Sequence, residues 1–124
     1  MSNLVVSNIS DGTTTVGTSY VVNGSAKAWC HFTTVSSTAV NNSMSFNISS
    51  LTDTGTGDTD CNLSSALTNS SIVAHCSVGN GSNGDQSFIQ SNGTASMIPL
   101  YNYNGNNAVF DSALCAVSGF GDLA

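Results

Sequence analysis

Ala26-Lys27-Ala28-Trp29-Cys30-His31-Phe32-Thr33 is the stretch that decides the fold. An extended chain points successive side chains to opposite sides. Ala28, Cys30 and Phe32 therefore share one face, and Lys27, Trp29 and His31 share the other. The first face belongs in a core. Trp29 on the second face implies that this side is also partly covered, with another subunit as the candidate cover.

The same period of two recurs along the chain, and helical periodicity does not. Downstream, Thr34 to Asn42 reads as a linker, and Met44, Phe46 and Ile48 are expected inward. Asp53-Thr54-Gly55-Thr56-Gly57-Asp58 is a turn with two glycines able to take positive φ. Thr59 to Leu63 returns with Cys61 and Leu63 inward, which completes a hairpin. Ile72, Ala74, Cys76 and Val78 share a face, and Gly79 to Asp85 is a glycine-rich loop. Ser87 to Gln90 and Ala95 to Tyr103 read as strands, and Pro99 suggests that the second is an edge or carries a bulge. Asn104-Gly105 signals a type I′ turn. Ala108 to Asp111 and Ala113 to Ser118 close the domain with Cys115 and Val117 inward. Upstream, Leu4 to Ile9 and Thr14 to Val22 read as extended around an Asp11-Gly12-Thr13 turn, and Asn23-Gly24-Ser25 breaks the run. Short strands with Gly/Asn turns predict an all-β fold, an antiparallel β-sandwich or barrel-like knob.

Composition agrees. Of 124 residues, only 6% are charged, against about 25% in ordinary proteins. Ser, Thr and Asn make up roughly 40%, Glu and Arg are absent, and Lys27 is the only basic residue. Long charged side chains that favour solvated helices are missing, while strand and turn formers abound. A formal net charge of −6 with one lysine argues against nucleic acid, because phosphate binding needs Lys or Arg. The same deficit disfavours anionic membranes, and no apolar run is long enough to span a bilayer. Met1-Ser2-Asn3-Leu4 lacks the basic and apolar regions of a signal peptide. Cys30, Cys61, Cys76 and Cys115 follow no zinc spacing and lie in alternating runs, so free buried thiols are expected.

Gly24-Ser25-Ala26-Lys27-Ala28-Trp29 with Phe32 resembles the opening of a domain found in tailed-bacteriophage tail-fibre and related virion proteins. Ser45-Phe46-Asn47-Ile48-Ser49-Ser50-Leu51-Thr52-Asp53 with Gly55-Thr56-Gly57-Asp58 is similar to that family's second signature. Leu4-x-Val6-x-x-Ile9-x-Asp11-Gly12 resembles its lead-in. The likeness covers about half the chain, chiefly Leu4 to Leu63. It departs at Cys30 and His31 and in the strand Thr59 to Leu63. The resemblance implies a trimeric virion component, assembled in the host cytoplasm and displayed on the particle as a fibre or spike. Residues 1–25, with apolar Leu4, Val6, Ile9 and Val16, are expected to form an extended oligomerisation and attachment stem to other virion proteins. Residues 26–124 are expected to form the knob, which contacts a host surface glycan or protein. The alternative is a capsid or tail decoration protein that stabilises the shell without binding a receptor.

No catalytic apparatus is expected. The chain has no Glu and no G-x-S-x-G elbow, and almost all its Asp residues lie in or beside turns. His75 and Cys76 are adjacent on a strand and point to opposite faces, so they form no dyad. No cofactor or metal is expected. His31 and His75 read as outward-facing, and Asp53, Asp58 and Asp60 as a solvated turn lacking calcium-loop spacing. Recognition is the better-supported chemistry. Tyr101 and Tyr103, with the amides Asn102, Asn104, Asn106 and Asn107, are the residue types a glycan site uses. The Gly79–Asp85 loop is a second candidate surface.

Overall fold

A computed structural model describes residues 2–34, 39–79 and 85–122. In chain order the elements are β1 (Asn8–Ser10), β2 (Thr15–Gly17), α1 (Thr18–Gly24), β3 (Ala28–Thr33), β4 (Ala39–Phe46), β5 (Ile48–Gly55), β6 (Asp58–Leu63), β7 (Val73–Gly79), β8 (Gln86–Ile89), β9 (Met97–Tyr103) and β10 (Leu114–Phe120). Two four-stranded antiparallel sheets, ordered β4-β3-β10-β7 and β5-β6-β9-β8, share one core, and β1-β2 is a separate small hairpin. Among the described residues the only helix is α1, and the fold is otherwise all-β.

Alternation builds the core. Ala28, Cys30, Phe32, Cys115 and Val117 face inward from the first sheet. Cys61, Leu63, Ile98 and Leu100 meet them from the second, and Leu67 joins from the β6–β7 connection. Each fully buried large side chain contributes about 1.5–3 kcal/mol by leaving water. All four cysteines are free, and Cys30, Cys61 and Cys115 are buried. The fully buried polar side chains Asn102 and Ser112 are paired, whereas the buried Asp85 carboxylate oxygens have no hydrogen-bond partner among the described residues. Asn102 accepts from Ser87 Oγ at 2.7 Å and donates to Cys115 Sγ at 3.4 Å. Ser112 donates its N–H to Thr34 Oγ1 at 2.8 Å and its hydroxyl to the Gly79 and Leu114 carbonyl oxygens.

Several expectations fail locally. Residues 18–22, expected extended, and residues 23–24, expected as a break, form α1, whose C-terminal end meets the Lys27 ammonium. That ammonium donates to the Val22 carbonyl oxygen and to Ser25 Oγ at 2.7 Å. Met44 and Phe46, expected inward, are 44% and 52% exposed, because Asn47 takes φ 56° where the chain passes between sheets. One left-handed residue shifts the side-chain phase, so only Ile48 reaches the core. Pro99 lies in β9, an interior strand between β6 and β8. Its missing N–H faces the β8 side just past Ile89, where β8 has ended, and its carbonyl still accepts from Gln90 N at 3.1 Å. Asn104-Gly105 is not a type I′ turn, since neither residue has positive φ. Instead Asn107 N donates to the Asn104 carbonyl at 2.9 Å, and Asn107 takes φ 59°. Residues 108–111 then make only an isolated bridge at Val109 instead of a strand. The linker expected from Thr34 is shorter, because β4 begins at Ala39.

Candidate functional site

The outer face of the β5-β6-β9-β8 sheet carries an aromatic group. Tyr101 and Tyr103 alternate with buried Leu100 and Asn102 on β9, so both rings point away from the core. Antiparallel pairing sets Phe88 of β8 opposite Tyr101. The Phe88 and Tyr103 rings meet edge-on at 5.8 Å, and Tyr101 and Tyr103 are tilted at 5.1 Å. With Ile89 and Gln90 they line an open groove of about 320 Å³.

Polar groups adjoin the rings. Asp58 is the β6 partner of Tyr101, and Asp60 is the partner of Pro99. Gln90 Nε2 donates to Asp58 Oδ1 at 2.8 Å, which ties β6 to the end of β8 across β9. Partial burial, helped by the neighbouring Asp58 charge, raises the Asp60 carboxyl above the ordinary range. Farther along, Asn62 donates to Ser50 Oγ and Thr52 Oγ1, at 3.2 and 2.9 Å.

The expected site residues divide. Tyr101 and Tyr103 come together as ring faces. Asn102 does not join them: it is 0% exposed and bonded inside the sandwich. Asn104 folds its side chain onto the turn, accepting from Asn106 N and Ala108 N at 2.9 and 3.1 Å. Asn106 and Asn107 are exposed on that turn. Phe88 and Gln90 were not singled out in the sequence, and Asp58 was read there only as part of a solvated turn. Ser87 to Gln90 was legible as a strand, but its register against Tyr101 follows from tertiary pairing that no local pattern encodes. Residues 80–84 of the Gly79–Asp85 loop lie outside the described residues.

The outer face of the β4-β3-β10-β7 sheet is different. Trp29, Phe46, Val73 and Leu114 are exposed there, and Phe120 packs edge-on against His75 at 6.0 Å. Ala116 and Ser118 floor a shallow depression of about 220 Å³ bordered by His75 and Ser77. The four strands themselves carry no carboxylate or ammonium, while Lys27 and Asp122 lie at the edge of this face beside Phe46. His31 and His75 lie on β3 and β7 with β10 between them and two residues out of register, so their backbones are about 12 Å apart at the usual strand spacing and rise. Among the described residues no three His, Cys, Asp or Glu side chains cluster as metal ligands. Asp53 accepts from Gly55 N and Asp58 from Gln90, so the acidic turn is divided between separate tasks. Cys76 points inward while His75 points outward, which separates that pair.

Residues 2–25 form a third surface. Leu4, Val5, Val6, Ile9, Val16, Tyr20, Val21 and Val22 are all exposed, and α1 buries no residue. Ile9 and Val16 pair across the hairpin, and Thr18 Oγ1 donates to the Val6 and Ser7 carbonyls at 2.9 and 3.1 Å. A groove of about 560 Å³ runs between Val21 and Val22 of α1 and Phe46 of β4. Among the described residues no helix is long and apolar enough to cross a membrane. No family model, curated protein or solved structure matches the chain.

Proposed function

We propose that this chain is a structural module of a tailed-bacteriophage virion, a fibre or spike protein that works without catalysis. Residues 1–25 assemble copies, as a homotrimer, and attach them to other virion proteins. The sandwich beyond them meets a host surface glycan or protein. The observation that carries the reading is the N-terminal segment. It has regular structure and eight exposed large apolar or aromatic side chains, with no core of its own. A seven-residue helix and a hairpin of three-residue strands are marginal alone in water. Sister copies and a virion partner would give those side chains somewhere to go. The likeness of Gly24–Phe32 and Ser45–Asp58 to virion fibre domains points the same way.

Immunogold labelling of particles tests the location, and sedimentation of the purified chain tests the assembly. Label on fibres or spikes and a trimer are expected. A full chain that is monomeric at micromolar concentration would remove the stem from the account. The decoration reading has one observation of its own, the uncharged apolar face built from Trp29, Phe46, Val73, Leu114 and Phe120, which suits packing against a shell. Label spread flat over capsomer junctions would favour it.

A further inference from the structure

The outer face of the β5-β6-β9-β8 sheet defines a ligand class, taking the host-contact reading above as its premise. Ring faces are available there: Phe88 is 49% exposed, and mutual packing at 5.8 and 5.1 Å holds Phe88, Tyr101 and Tyr103 in place. A pyranose ring has an apolar face of axial C–H groups and a rim of hydroxyls. It matches flat aromatic rings beside fixed acceptors. The acceptors are present. The Gln90–Asp58 pair uses one amide N–H and one carboxylate oxygen on itself, leaving the Gln90 carbonyl and the second Asp58 oxygen for hydroxyl or ammonium donors.

Charge narrows the choice. Phosphate, sulfate and uronate groups are recognised by Arg or Lys. The chain has no Arg, and its one Lys is buried against α1. An acidic sugar on this face would meet Asp58 and Asp60 instead. We propose that Phe88, Tyr101 and Tyr103, with the Gln90–Asp58 pair, bind a neutral or amino-substituted pyranose glycan and reject acidic glycans.

Calorimetric titration of the full chain with cellotriose, glucosamine trimer and trigalacturonate tests this. Saturable binding of the first two is expected, with the glucosamine trimer favoured at low salt and that advantage shrinking as salt rises. Phe88→Ala and Tyr103→Ala should each weaken both by about tenfold, the equivalent of about 1.4 kcal/mol. Phe88 is the least buried of the three, so its variant retains the fold, which circular dichroism checks. Asp58→Asn should remove only the preference for the amino sugar. Preference for trigalacturonate, no binding of any of the three, or binding indifferent to Phe88→Ala and Tyr103→Ala overturns the site. Competition with particles for host cells separates the two claims. A chain that blocks adsorption yet binds none of the sugars sinks the glycan site and keeps host contact; a chain that binds sugar without blocking adsorption does the reverse.

Discussion

At Gly57 the chain turns with φ +71°, and a Cβ there would lie 2.8 Å from the Asn102 carbonyl oxygen and 3.0 Å from Phe110 N and O. The obstacles are backbone atoms that already bond around the glycine, since Gly57 N donates to Asp111 Oδ1 and Asn102 N donates to the Gly57 carbonyl, both at 2.8 Å. Gly57→Ala is expected to cost about 2–4 kcal/mol, read as a fall in the urea midpoint. Gly55→Ala, with nothing within 4 Å, should lose only about 1 kcal/mol from its φ of +156°. The core thiols give a second prediction at this scale. The adjoining Cys30 sulfur and burial push the Cys61 thiol well above the ordinary range, and burial raises Cys76 and Cys115. The folded state keeps these protons at pH values where an unfolded chain releases them. Their contribution is therefore complete below the ordinary thiol value of 9.0 and declines as pH rises beyond it. Stability should drop by up to about 1.4 kcal/mol per pH unit for the deeply buried Cys61 thiol, and by less for Cys76 and Cys115, in urea titrations as pH rises past 9.0. With a thiol reagent at neutral pH, Cys76 should react first, because it is the least buried of the four.

Among the elements, α1 is the one whose stability comes from elsewhere. Val21 and Val22 are poor helix formers, and Gly24 ends the segment. What holds it is the Lys27 ammonium at its C-terminal end, where a cation complements exposed carbonyls, and the Thr18 hydroxyl at its start. Lys27→Met, which keeps the buried aliphatic stem, should melt α1 and shift sandwich stability by less than about 1 kcal/mol. Hydrogen exchange would show rapid exchange of the 20–24 amides with β3 and β10 protected. Protection of α1 in that variant would contradict the assignment. This dependence explains why α1 was invisible in the sequence: its residues favour strands, and its support comes from outside the segment. The sandwich strands were legible because burial on one face imposes period two. Ala28/Cys30/Phe32, Cys61/Leu63 and Cys115/Val117 all face inward as read. The reading failed at Phe46, where the left-handed Asn47 breaks the phase, and at Pro99, whose fit depends on where β8 stops. Of the recognition face, the tyrosines were legible. Phe88, Asp58 and Gln90 arrive by cross-strand register, and Asn102 was misplaced because a polar side chain at an inward position is satisfied only by tertiary partners.

Across the whole molecule, charge is unevenly spread. Asp53, Asp58 and Asp60 belong to the β5-β6 hairpin, and the strands of the opposite sheet carry none, with Asp122 only at its edge. Copies with a net charge of −6 repel one another least when they meet through uncharged surface. Removing residues 1–24 should abolish the proposed trimer while leaving a cooperatively folded sandwich, checked by sedimentation and thermal melting together. A truncated chain that no longer melts cooperatively would show that the N-terminal segment supports the fold itself. The chain enters and leaves the sandwich side by side: β3 pairs with β10 from Ala28↔Gly119 to Phe32↔Cys115, and Lys27 N donates to the Gly119 carbonyl at 2.8 Å. Tension between those two ends would open the ladder like a zipper, one rung after another. A particle anchored through Lys27 and tugged by a sugar on β8 and β9 would instead load both sheets across their shared interior, which resists as a unit.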